Sequence, residues 1–287
     1  MTLKAYAKLN LYLAITGALP NGYHTLEMIM QSVDLFDTLE ISLDDSISVQ
    51  CDGIDEQNNL AYKAARLFFD ESGINGGAKI RIQKRIPMMA GLGGGSADAA
   101  AVLYGLNKLY DGVFDDLKLA DIGKKLGADV PFSLTGGCCI ARGLGEQLTP
   151  IKNSLNCAYL ICKPVEGCST PSVYNQFDIS PNYPESGRFD NAVSSIENGD
   201  ISSFMESCYN SLTSAASVLC PRVPILLRDI SRTDGCISSF MTGSGSACVG
   251  IFEDISSAQY AARELSSKSS ELKAFAVNAV KSGVSIE

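Results

Sequence analysis

The chain has 287 residues, is 46% hydrophobic and carries a net charge of −9. That length allows two domains or one large one, with enough apolar residues for a full core. The acidic balance argues against general binding to nucleic acid or to an anionic membrane, but not against a small anionic ligand that meets local charge.

Residues 3–15 alternate with period two and predict a strand. Ala5, Ala7, Leu9, Leu11 and Leu13 fall on one face, and Tyr6, Lys8, Asn10 and Tyr12 on the other. The polar face is expected to be solvated, where a lone lysine is unremarkable. Lys8 and Asn10 nevertheless point the same way and could jointly face a ligand. Lys4 and Lys8 precede an apolar stretch, but Asn10 and the two-residue period do not suit a secretory signal. A turn is predicted over 17–24, where Pro20 and Asn21-Gly22 break the pattern and Tyr23-His24 close it. One or two strands follow between Thr25 and Leu43, and a short one at Val49–Cys51. Asn59 can cap a helix through about Glu71, with Leu60, Ala64, Leu67 and Phe68 on one face.

A strand over Lys79–Gln83 runs into Pro87-Met88-Met89-Ala90-Gly91-Leu92-Gly93-Gly94-Gly95-Ser96, and a helix is predicted over 97–109. Strand, glycine loop and helix in this order suit a phosphate. The glycines let the backbone lie close to a ligand, and the helix start offers free N–H groups and partial positive charge. The loop is not a Walker A motif, because no Gly-Lys-Ser/Thr closes it, and it is a poor dinucleotide fingerprint. A helix over Leu117–Leu126 stops at Gly127. Asp129 follows, before Pro131, among small and apolar residues. A carboxylate there is costly unless a cation or donor pairs with it, so a partner is expected.

Cys138–Ala141 reads as a strand, and residues 143–146 as a turn. Near residue 150 a second strand set begins with Ala158–Ile161. Ser169-Thr170-Pro171 looks like a helix start with proline at the first position. Residues 177–190 read as a polar loop. Helices are predicted near 190–197 and 201–213, with another from about Pro224. The strand Ser238–Met241 enters Thr242-Gly243-Ser244-Gly245-Ser246-Ala247, followed by the strand Cys248–Phe252, a helix over Ser256–Ser266 and a last strand over Ala274–Val280. The single histidine, His24, excludes a multi-histidine metal site. The ten cysteines form no C-x-x-C pair and fit buried free thiols in a reducing cytosol. No run approaches the roughly 20 apolar residues of a membrane span.

Three segments in this order resemble the GHMP kinases, the family of galactokinase, homoserine kinase and mevalonate kinase. They are Ala7–Leu11, Pro87–Ala97 and Thr242–Ala247. Gly22-Tyr23-His24, Asn59–Ala64 and Gly127–Phe132 extend the resemblance over most of the chain. They direct it to the branch whose alcohol substrate carries a cytidine diphosphate. Leu19-Pro20-Asn21 departs slightly from that branch, in a turn.

The resemblance implies a two-domain α+β architecture. An N-terminal α/β domain like ribosomal protein S5 domain 2 (residues 1–151) would join a C-terminal ferredoxin-like domain (152–287), with the active site in the cleft between them. It implies a cytoplasmic ATP-dependent kinase of a cytidyl small molecule, with Mg²⁺ as companion cation. Such a protein needs no nucleic acid or membrane and is expected to be a monomer or weak dimer. Pro87 through Ala97 would wrap the ATP phosphates, with Ser96 a possible neighbour of the metal. Asp129 would be the catalytic aspartate and Lys8 its partner, while Asn10 would position the substrate. Tyr23 and Tyr174 would lie on the two faces of cytosine, and His24 would read its polar edge through backbone groups. Thr170 and the loop Gly243, Ser244, Gly245, Ser246 would meet the rest of the substrate. A homoserine- or mevalonate-type kinase stays open as an alternative, as does a nucleotide-binding regulator on the same fold.

Overall fold

The structure is a computed structural model and describes residues 1–287. In chain order it runs β1 (Thr2–Ala18), β2 (His24–Asp44), β3 (Ser48–Cys51), α1 (Leu60–Ser72), β4 (Gly77–Gln83), α2 (Gly94–Leu109), α3 (Asp116–Lys124), α4 (Val130–Thr135), β5 (Cys138–Gly143), β6 (Gln147–Ile151) and β7 (Ala158–Pro164). It continues with α5 (Thr170–Ile179), α6 (Arg188–Asn198), α7 (Ile201–Ser207), α8 (Thr213–Leu219), α9 (Arg222–Ser231), β8 (Cys236–Met241), β9 (Cys248–Phe252), α10 (Ile255–Lys268), β10 (Leu272–Val277) and β11 (Val284–Ile286).

The first sheet is built on the long hairpin β1–β2. One edge of β2 pairs with β1 between His24 and Glu40; its other edge is divided, Thr38–Asp44 pairing with β4 and Leu26–Gln31 with β5. The second sheet has the order β10-β7-β9-β8 and is antiparallel throughout. The division of strands falls between β6, which pairs with β5, and β7. The chain then returns, because β11 pairs with β1 in the first sheet. The expected last strand is therefore β10, ending at Val277, and one more strand follows it.

Beta-1 departs from strict alternation. Asn10 pairs with Met30 and Tyr12 with Ile29, so Leu11 is an extra residue that reverses the faces beyond it. Tyr12 and Ala14 pack with Leu3, Ala7 and Leu9 in the first core, whereas Leu13 and Ile15 join the second core with Leu160 and Val223. The polar face is not solvated either: Lys8 and Asn10 are buried.

Alpha-2 begins at Gly94, inside the glycine run, rather than at Ala97. Its residues Ala97 through Leu103 are all buried, since alanines let it seat closely against β1, β2 and α1. The helix expected over 201–213 stops at Ser207. Beyond it Asn210 bridges to Leu13 alongside β1, with Leu13 N–H donating to Tyr209 O and Ser211 N–H to Leu13 O. The polar loop is shorter than expected, spanning 180–187 between α5 and α6. Ser169 stands at the start of α5 without a side-chain cap. The short helices α4 and α8 carry too few residues for a periodic signal.

Candidate active site

A cleft of about 530 Å³ opens between the two sheets. Pro87 through Ser96 line it from the first, and Thr170, Tyr174, Leu212, Gly243 and Ser244 from the second. Lys8, Asn10 and Asp129 lie between these walls.

Asp129 is the cap residue of α4, yet its side chain makes no capping bond. It turns to Lys8 instead, with Nζ to Oδ2 at 3.6 Å. The Lys8 side chain is 8% exposed and that of Asp129 32%, so the lysine is held and the carboxylate stays open to a ligand. Lys8 Nζ also donates to Asn10 Oδ1. Asn10 is fixed in turn: its backbone N–H donates to Thr242 Oγ1 at 2.8 Å, and Nδ2 contacts Met28 Sδ at 3.2 Å. The carboxylate thus has the cationic partner that its surroundings require.

The glycine loop reaches across the cleft. Gly91 has φ +76°, and a Cβ there would lie 2.5 Å from Thr242 O. Gly93 has φ +71°, and its Cβ would lie 2.9 Å from Lys8 Cγ. Ala247 N–H donates to Ala90 O at 3.3 Å, while Thr170 and Ser244 share a hydroxyl hydrogen bond of 2.8 Å. Asn210 supports the second wall, Nδ2 donating to the carbonyls of Met241 and Gly243 at 2.8 and 2.9 Å.

Several expected residues take other places. Ala97 is buried in α2 behind the loop. Ser246 is fully buried and donates to Glu166 O at 2.6 Å, and Gly245 packs towards Met241 and Ala216. Tyr23 stands on the β1–β2 turn, 61% exposed and outside the cleft lining. His24 is buried; its Nε2 meets Asp178 Oδ1 at 2.8 Å, and its ring lies 5.2 Å from that of Tyr174. Tyr174 does line the cleft. Burial pushes its phenol up to about 12, and the Asp129 carboxylate adds to the rise.

Behind the loop lies a charged cluster that single-residue reading did not single out. Lys84 Nζ donates to Asp37 Oδ2 at 2.5 Å and to Asp98 Oδ2 at 2.6 Å. Asp37 and Asp98 are buried, and Lys84 and Asp98 reach the cleft. Burial alone would lower the Lys84 pKa, but the two carboxylates outweigh it and the net direction is upward.

A sheet with a glycine loop, a lysine–aspartate pair and a second sheet closing the cleft define a small-molecule kinase architecture. The GHMP kinases N terminal domain matches residues 59–137, and the GHMP kinases C terminal domain matches residues 192–271. The chain belongs to the GHMP kinase family, whose members use ATP. It is 41% identical over 269 residues to the 4-diphosphocytidyl-2-C-methyl-D-erythritol kinase of Alkaliphilus metalliredigens (strain QYMF), covering 92% of each chain. Among solved structures, a 4-(cytidine 5'-diphospho)-2C-methyl-D-erythritol kinase superposes with a TM-score of 0.83 at 33% identity, over 97% of this chain and 99% of the other. The homoserine kinase of Cytophaga hutchinsonii superposes with a TM-score of 0.79 at 18% identity, over 99% and 96% of the chains, and shares the fold.

Proposed function

We propose that the protein transfers the γ-phosphoryl group of ATP to the C2 hydroxyl of 4-diphosphocytidyl-2-C-methyl-D-erythritol, releasing ADP, as a step of non-mevalonate isoprenoid precursor biosynthesis. The observation that carries the chemistry is the Lys8–Asp129 pair at 3.6 Å in the cleft lined by the glycine loop. The particular substrate rests on the relatives at 41% and 33% identity.

In this reading the alcohol lies beside Asp129, which accepts its proton as the oxygen attacks the γ-phosphorus. The Lys8 ammonium stabilises the oxygen as it loses its proton. Asn10 holds Lys8 and the substrate in register. Loop amides and the start of α2 face the phosphates, where negative charge builds up in transfer. No group of three or more His, Cys, Asp or Glu residues could hold a metal. Mg²⁺ would bind phosphate oxygens and water with one or two protein oxygens, and Ser96, which lines the cleft, would be its neighbour. When bound, Mg²⁺ neutralises charge on the phosphates.

Tyr174 supplies one aromatic face for cytosine, with Thr170, Gly243 and Ser244 beside the diphosphate. Tyr23 reaches the second face only by moving inward from its exposed turn. Residues 1–151 would serve ATP and chemistry, and 152–287 the substrate, with β11 a return strand. No helix is long and apolar enough to cross a membrane, and all ten cysteines are free thiols. The free thiols suit a reducing cytoplasm, and a monomer or weak dimer is the assembly proposed.

Product analysis tests the reading. Incubation with ATP and the cytidyl alcohol should give ADP and a new phosphomonoester on C2, located by phosphorus NMR. A phosphate on another hydroxyl, or ADP formed without a phosphorylated alcohol, would refute it.

A further inference from the structure

The glycine loop is tied down at both ends by one buried cluster. Antiparallel pairing sets Thr38 opposite Gln83, which brings Asp37 of β2 to the segment leaving β4. There Asp37 Oδ1 accepts the backbone N–H of Arg85 at 2.5 Å and of Ile86 at 2.8 Å, the residues that lead into the loop. Asp37 Oδ2 takes the Lys84 ammonium, which crosses to Asp98 on α2, the helix that leaves the loop. The ammonium also lies beneath the first turn of α2, where a Cβ on Gly94 would come 3.4 Å from Nζ. Entry and exit are therefore held by one carboxylate–ammonium–carboxylate bridge. Asp37 is 0% exposed and Asp98 2%, so little water screens it.

A general structural anchor would not need this arrangement. Two carboxylates share one lysine, and Asp98 Oδ1 has no hydrogen-bond partner. A buried pair with one cation leaves surplus negative charge beside a cleft meant for polyphosphate, which an apolar contact would avoid. What the bridge provides is geometry: backbone N–H groups at the loop entry and the start of α2 are fixed relative to each other before a ligand arrives.

We propose that Asp37, Lys84 and Asp98 act as positioning residues that hold the glycine loop in its nucleotide-receiving shape, and so set ATP affinity rather than affinity for the alcohol. This rests on the reading of the glycine loop as the nucleotide site. The charged and titratable groups facing Asp98 are Lys84 after β4, Asp37 on β2 and Cys51 at the end of β3. Burial pushes the Asp98 carboxyl up, against the pull of Lys84 and with the neighbouring Asp37 adding to the rise.

The test is calorimetric binding of Mg-ATP and of the cytidyl alcohol, each alone, to wild type and single variants. Asp37→Asn keeps an acceptor for the two amides but turns an NH₂ group towards Lys84. Its ATP dissociation constant should rise by about tenfold or more, while that for the alcohol stays within about twofold. Asp98→Asn keeps the shape and removes the charge that holds Lys84 at the loop exit, so its ATP dissociation constant should also rise severalfold while that for the alcohol stays within about twofold. Equal weakening of both ligands, or unchanged ATP affinity, in either folded variant would overturn the proposal. If Asp37→Asn does not fold, Asp98→Asn decides alone. Gly93→Val checks the nucleotide site separately: unchanged ATP binding by that folded variant would remove the loop from the site, whatever the cluster variants do.

Discussion

Lys8 and Asp129 come from different elements, β1 and the cap of α4, and meet only because β1 lies directly beneath the turn before that helix. Asp129→Asn keeps the shape and removes the proton acceptor, so turnover should fall by about 10²–10⁴ with ATP binding largely retained. Lys8→Ala should also be severely impaired, and the double variant should lose less than the product of the single losses. Steady-state rates on the three proteins check this; near-normal turnover by Asp129→Asn would remove it as the base. Tyr174→Ala should weaken binding of the cytidyl alcohol by roughly 10- to 150-fold, the equivalent of about 1–3 kcal/mol of base stacking, with ATP affinity unchanged. Tyr174→Phe should be mild. A drop in melting temperature without a change in alcohol affinity would make Tyr174 a packing residue only. The glycine loop was legible as a phosphate site from its own residues, and the need for a partner at Asp129 from its apolar neighbours, whereas the roles proposed for Lys8 and Asp129 came only through the family resemblance. The Asp37–Lys84–Asp98 cluster was not, since it exists only through the β2–β4 register and the direction of α2.

At the scale of elements, the glycine loop and the 242–246 loop are built to touch. Gly91→Ala would put a Cβ 2.5 Å from Thr242 O at φ +76°, so the loops must part. We expect a stability loss of about 1–3 kcal/mol in denaturant unfolding, with weaker ATP binding as the wall opens. Unchanged stability and affinity would show that the contact is not needed. Strand and helix types near the site could be read from periodicity, since β4, α2 and β9 are long enough or regular enough to show it. Elements shaped by distant partners could not. Beta-1 reads as one alternating strand, yet the extra Leu11 reverses it, and only the pairing with β2 reveals the bulge. Helical composition over 201–213 gives way to extended backbone at Asn210 because β1 and the carbonyls of Met241 and Gly243 claim it.

Across the whole molecule, the two sheets are joined by a chain that crosses and comes back. Gly283 precedes β11 and fits against α4 so closely that a Cβ would lie 1.9 Å from Ser133 O. Gly283→Val should therefore lower stability by at least about 2 kcal/mol in denaturant unfolding, although it lies far from the cleft in sequence. A variant as stable as wild type would show that the return strand is not coupled to the first sheet. The same closure brings Tyr174 and Ser244 from the second half against the loop and the Lys8–Asp129 pair of the first, and it makes substrate choice a property of the assembled cleft. The most direct measurement is a coupled ADP-release assay with 4-diphosphocytidyl-2-C-methyl-D-erythritol beside homoserine and mevalonate at equal concentrations. The cytidyl alcohol should be favoured in kcat/KM by at least about a hundredfold, the least that base stacking and diphosphate contacts together supply. Equal or greater turnover of homoserine or mevalonate would contradict the assignment, and ATP binding with no turnover of any alcohol would contradict catalysis itself.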